Sequence, residues 1–130
     1  MNTEIEEVKT IYSSLRMTRK EAEDLLRYAP HYKIDGDAFL RERTYSEEFL
    51  REIWYSWDSS ICKFCKLSID FMREFHTNSC WNWNSIMNNI GIYTEREMLQ
   101  IQKEFHLVQK SIVQPWGSYW TTNFNWVEDI

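Results

Sequence analysis

Apolar residues along most of this chain recur at intervals of three and four, the spacing that gathers one face of an α-helix, and change to alternation near the C-terminus. Ile5, Val8, Ile11, Tyr12 and Leu15 follow the capping-box pair Thr3 and Glu6 and predict a first helix from about Glu4 to Arg16. Thr18 with Glu21 opens a second, carrying Ala22, Leu25 and Leu26. Pro30 marks its limit, because the residue before a proline is pushed out of the helical region. The two predict a helical hairpin. Asp35-Gly36, between Tyr32-Lys33-Ile34 and Asp37-Ala38-Phe39, reads as a turn within a short hairpin or a loop.

From Ser46 the positions Leu50, Trp54, Trp57, Ile61, Phe64, Phe71 and Phe75 step by four and three, with Ser68 as one polar member. Read literally they predict one long helix over 46–76, with Asp58-Ser59-Ser60 the only compositional break. Asn84 is placed to cap a short helix bearing Ile86, Met87 and Ile90 and ending at Gly91. A third box, Thr94 with Glu97, starts a helix marked by Met98, Ile101, Phe105, Val108 and Ile112, and Pro115-Trp116-Gly117 ends that region. The tail then alternates, with Trp116, Ser118, Trp120, Thr122, Phe124 and Trp126 on one face and Tyr119, Thr121, Asn123 and Asn125 on the other. That is a strand pattern without an evident pairing partner. The expectation is a mainly α fold, a single domain over 1–130 of about five helices with a short β-like C-terminal segment.

A chain of 130 residues can bury roughly two thirds of its unfolded surface, enough for a core without staples. Its 15 basic and 20 acidic side chains leave a net charge of -5, and only residues 61–90, with three basic against two acidic groups, lean positive. Such a surface repels phosphate backbones and favours basic protein partners. No apolar run approaches the roughly 18 residues of a membrane span. The first residues, Met1 to Glu7, are acidic where a secretory signal is basic and then apolar, so a cytoplasmic location is expected.

All three cysteines fall with one histidine in the order Cys62, Cys65, His76, Cys80, that is C-x2-C, ten residues, H-x3-C. This is near the ligand spacing of a small structural zinc site, and it resembles C2HC fingers over some twenty residues, with a spacer shorter than that family's. A tetrahedral site needs the four positions to converge. An unbroken helix separates Cys65 from His76 by about 16 Å, so zinc and the long helix exclude each other. Zinc requires a knuckle at Cys62–Cys65 and a new helix capped by Ser68. The plainer reading makes Cys62 and Cys65 small half-buried residues of a helix, His76 a helix-end residue and Cys80 a packing residue. A redox C-x-x-C is disfavoured because no strand precedes Cys62.

Other chemistry is sparse. Ile86 to Ile101 has the outline of a helix-turn-helix, but its second helix carries Glu95, Glu97 and Glu104 against Arg96 and Lys103, the wrong balance for a phosphate-lined groove. With three glycines no phosphate-cradling loop is evident, and H-E-x-x-H and G-x-S-x-G are missing. Asp35-Gly36-Asp37 lacks the further ligands of a calcium loop, and nothing orients His106 with Glu104, or Cys80 with His76, as a catalytic pair. The chain is not expected to be an enzyme.

Seven Trp, seven Tyr and seven Phe exceed what a core of this size needs. Trp81, Trp83, Trp116, Trp120 and Trp126, set among asparagines, are therefore candidate partner-binding residues; a stacking platform for bases or sugars is the other use of such rings. The reading that follows is a non-catalytic protein-binding module. One version is a small acidic phage or mobile-element inhibitor of a basic nucleic-acid-handling enzyme, for example an anti-CRISPR protein. The alternative is a zinc-stabilised nucleic-acid-binding module using Lys63, Lys66 and Arg73.

Overall fold

The computed structural model describes residues 13–89 and 91–129, apart from the side chains of Ile112, Gln114, Trp116 and Thr121. Among these residues the fold is mainly helical, with six helices and one two-stranded antiparallel sheet. They fall into two compact units, meeting in sequence between Trp81 and Asn82, and each is described by itself. The first expected helix lies largely outside the described residues; residues 13–17, at its end, are non-helical.

In the first unit, α1 (Arg19–Tyr28) begins at the expected capping box. The Glu21 amide donates to Thr18 Oγ1 at 3.1 Å and the Thr18 amide to Glu21 Oε1 at 3.2 Å. It ends where Ala29, next to Pro30, turns extended. The segment expected to be a turn is instead α2 (Gly36–Glu42). Asp35 caps it by accepting from the Ala38 amide at 3.3 Å, and Ala38, Phe39 and Leu40 are buried. Asp before a short apolar run is an N-cap signal as much as a turn signal, and burial of the run decides between them. The chain before α1 is tied to the end of α2: buried Ser14 donates from its amide (2.6 Å) and Oγ (2.8 Å) to Glu42 Oε2, while Arg43 Nη2 donates to the Ser14 carbonyl at 2.6 Å.

The expected 46–76 helix is two helices, α3 (Glu47–Phe64) and α4 (Ile69–Phe75), and α3 is itself broken at Trp57, whose φ of −132° and ψ of 24° are not helical. A straight helix of this length extends about 27 Å, whereas the four residues 65–68 reach about 14 Å. Yet Ser68 donates from its amide and Oγ to the Glu47 carboxylate at the start of α3, both at 2.6 Å. The bend at Trp57 brings the chain back. The apolar stripe was real, but it lines a folded-back helix pair. Around Trp54, which is fully buried, stand Phe75 (ring centroids 4.6 Å), Trp81 (5.8 Å) and Phe71 (5.9 Å).

In the second unit, α5 (Trp83–Met87) is capped by Asn82 rather than Asn84, through the Ser85 amide at 3.1 Å. The third capping box forms as expected and opens α6 (Glu95–Glu104). That helix stops eight residues short of Ile112. His106 takes a left-handed φ of 52°, and β1 (Leu107–Trp116) follows, paired with β2 (Tyr119–Glu128). Val108 and Ile112 satisfy a helical period and a strand equally. The pairing offered by the alternating tail decides for the strand.

Candidate functional site

The two strands make a ribbon of ten residues each, in the register Leu107 with Glu128 through Trp116 with Tyr119. Gly117, at φ 59°, and Ser118 close it, a pairing that suits a two-residue type II′ turn. Near its base the ribbon is anchored within its own unit. The Asp129 amide donates to the His106 carbonyl at 2.8 Å, Asn84 Oδ1 accepts from the Trp126 amide at 2.7 Å, and Leu107 is buried.

Towards the turn the described side chains are exposed. Residues opposite one another in an antiparallel pair share a face. Pro115 with Trp120, Val113 with Thr122 and Ser111 with Phe124 therefore lie on one side of the ribbon. Their apolar members stay in solvent, with Val113 59 %, Phe124 61 % and Trp120 72 % exposed. No charged residue occurs from Ser111 to Val127. A neutral row of exposed apolar side chains on the ribbon is the arrangement expected of a contact surface, since exposed apolar patches mark interaction sites.

The tryptophans singled out from sequence separate. Trp83 is buried against Phe105 (centroids 4.8 Å) and its indole N–H donates to Glu128 Oε2 at 3.3 Å. Trp81 belongs to the cluster around Trp54, Trp126 is half-buried, and the side chain of Trp116 lies outside the described residues. Trp120 alone of the five is placed as an open surface ring. Position 116 pairs with Tyr119 and position 120 with Pro115, so the two fall in rungs of opposite parity rather than on the shared face read from alternation. The two-residue turn reverses the parity. Phe124, already on the Trp120 face by alternation, and Val113 complete the surface, and recognising β1 as the partner of the tail is what finds Val113.

The four candidate zinc ligands are not gathered: among the described residues no group of three or more His, Cys, Asp or Glu side chains is positioned to hold a metal ion. Cys62, in the last turn of α3, and Cys65, its C-cap, are buried, and burial, with Cys62 adding to it, pushes the Cys65 thiol up to about 12. His76 caps the C-terminus of α4 instead of lying within a helix that reaches Cys80. Cys80 is exposed, and its thiol is raised from its ordinary value chiefly by its hydrogen bond to Asp58. As placed, these side chains do not fit a tetrahedral ion. At pH 8 a thiol reagent is expected to modify Cys80 within minutes and Cys62 and Cys65 only on unfolding, at the same rate with or without chelator. Two further thiols released by chelator would show a bound metal that the folded arrangement does not provide for.

Among the hollows lined by described residues, two are open to solvent. One, of about 450 Å³, is lined by Arg51, Tyr55, Glu74, Phe75, Thr77 and Asn78, and Arg51 and Glu74 spend their charges on each other at 2.6 Å. The other, of about 570 Å³, has Lys103, His106 and Asp129 on its walls beside Leu99 and Val108. Neither lining sets a His or Lys against a Ser or Cys. Among the described residues no helix is long and apolar enough to cross a membrane. No protein-family model matches the chain, and no curated protein or solved structure is significantly similar to it.

Proposed function

We propose that this protein is a non-catalytic protein-binding module and that the outer half of its C-terminal ribbon is the contact surface. The observation that carries the reading is the uncharged row of Val113, Pro115, Trp120 and Phe124, held in solvent by a ribbon whose base is anchored. Large rigid rings of this kind supply most of the binding energy of protein interfaces, at little cost in conformational entropy. The net charge of -5 favours a basic partner. A small cytoplasmic inhibitor of a basic nucleic-acid-handling enzyme, such as an anti-CRISPR protein, is the version that combines the two features.

The test is binding to a panel of basic nucleic-acid enzymes, CRISPR effectors among them, by the wild-type protein and by Trp120→Ala and Phe124→Ala. For the true partner each substitution is expected to weaken binding at least tenfold, about 1.4 kcal/mol or more. The melting temperature should stay within about 2 °C, because the rings contribute little to either core. Binding that survives both substitutions would place the contact elsewhere. Retardation of nucleic acid at low salt, abolished by chelator, would favour the zinc-dependent nucleic-acid module instead.

A further inference from the structure

The ribbon has two outer edges, and they are not equivalent. In a two-residue hairpin the residues flanking the turn exchange hydrogen bonds, and rungs then alternate between bonded and non-bonded. Trp116 with Tyr119 is a bonded rung and Pro115 with Trp120 is not. Two contacts at the base fix the same parity independently. The Asp129 amide reaches the His106 carbonyl, continuing the bonded series, whereas the Trp126 amide points outward and is taken by Asn84 Oδ1. The backbone N–H and C=O groups of Trp120, Thr122 and Phe124 are therefore directed away from β1. On the opposite edge Pro115 has no N–H to offer, which blunts β1 against strand addition. β2 lacks any such device.

We propose that this free edge of β2 pairs with the same edge of a second copy, forming a continuous four-stranded antiparallel sheet about a twofold axis at Thr122. The free stretch is bounded by the turn at one end and by Asn84 on the Trp126 amide at the other. The outward residues left between them are symmetric about Thr122. An antiparallel pairing centred there sets Trp120 of one copy opposite Phe124 of the other, and the reverse, with the two Thr122 residues facing each other. Each rung satisfies backbone groups that have no partner among the described residues, and the aromatic and threonine pairs are favourable across strands. The register is self-complementary, as a twofold interface must be. With no charged residue from Ser111 to Val127, it brings no like charges together. The contact is small beside the roughly 800 Å² a side of a standard interface, so the dimer is weak and reversible. This proposal concerns the edge and two copies of the chain alone, and it stands or falls separately from the identity of a protein partner.

Sedimentation equilibrium of the full chain from about 10 µM to about 1 mM tests it, in the range where small interfaces dissociate. A monomer–dimer equilibrium is expected for the wild type. Thr122→Lys and Thr122→Glu should each weaken dimerisation about tenfold, because like charges then face each other across the axis. An equimolar mixture of the two variants should recover it as a heterodimer. Amide exchange on the wild type gives a readout independent of any variant: protection at Trp120, Thr122 and Phe124 should rise with protein concentration while that at Asn123 and Asn125, already bonded to β1, stays constant. A chain that remains monomeric across the range, a dimer indifferent to both charges, or a mixture no stronger than its components would overturn the proposal.

Discussion

Gly36→Ala is expected to destabilise the first unit by about 2–4 kcal/mol, against the usual direction for this change in a helix. Alanine at an ordinary helical position gains up to about 1 kcal/mol over glycine, by propensity and by narrowing the unfolded ensemble. At the first position of α2, however, a Cβ would overlap three atoms of the Trp57 six-membered ring. That ring has nowhere to retreat. It is 8 % exposed, its indole N–H donates to the Leu26 carbonyl at 2.8 Å, and His31 stacks on it with ring centroids 4.3 Å apart. Overpacking costs about 1–3 kcal/mol, and loss of the indole bond adds about 1–3 kcal/mol by leaving a buried carbonyl unpaired. The clash therefore outweighs the propensity gain. Urea titration of the wild type, Gly36→Ala, Trp57→Phe and the double variant measures the coupling directly. A smaller loss for Gly36→Ala in the Trp57→Phe background is expected, and strictly additive losses would mean the ring does not lie against Gly36.

The same contact explains what the sequence conveys and what it withholds. Both capping boxes within the described residues, Thr18 with Glu21 and Thr94 with Glu97, start helices where a local reading puts them, because the hydrogen bonds involved span three residues and need no tertiary partner. Ser68 as a cap was equally legible, but only within the zinc alternative. The end of α1 was legible for the same local reason, since Pro30 bars the residue before it from helical geometry, but the ends of α3 and α6 were not. The run from Ser46 to Phe75 keeps its period through a bend at Trp57 and a gap at 65–68, since a stripe of four-and-three spacing records which residues are buried and not whether one straight rod buries them. Trp57 leaves helical geometry where its ring is claimed by Leu26, His31 and Gly36, residues 21 to 31 positions away. Likewise α6 yields to β1 because a partner strand lies beyond Gly117.

The candidate site was half visible for related reasons. Alternation in the tail marks a strand, and the excess of aromatic residues singles out Trp120 within it. The same alternation puts Phe124 on its face, but that Val113 and Pro115 join them follows only from the register, which a two-residue turn sets and composition does not. The tryptophan excess pointed two ways at once, to core and to surface. Trp83 went to the core because Phe105 and Glu128 offer its ring a neighbour and its N–H an acceptor. Trp120 sits five residues beyond Pro115 and is 72 % exposed.

Trp54→Ala should be the most damaging single truncation in the first unit, at about 3–5 kcal/mol. Its side chain is fully buried at the meeting of Phe71, Phe75 and Trp81, so its removal deprives three other rings of their central neighbour and leaves a void that α3 and α4, fixed by the Glu47–Ser68 and Arg51–Glu74 bonds, cannot collapse to fill. Trp54→Phe should behave differently. The indole N–H of Trp54 is buried and meets no acceptor among the described residues, and an unpaired buried donor costs about 1–3 kcal/mol. Phenylalanine discards that donor while keeping a ring against Phe75 and Phe71, so relief of the polar burial offsets most of the lost area and the net change should be within about 1 kcal/mol. Equilibrium unfolding followed by tryptophan fluorescence, with circular dichroism to confirm that each variant is helical, separates the cases. If Trp54→Phe costs as much as Trp54→Ala, the indole N–H has an acceptor and the cluster is held by a hydrogen bond as well as by packing.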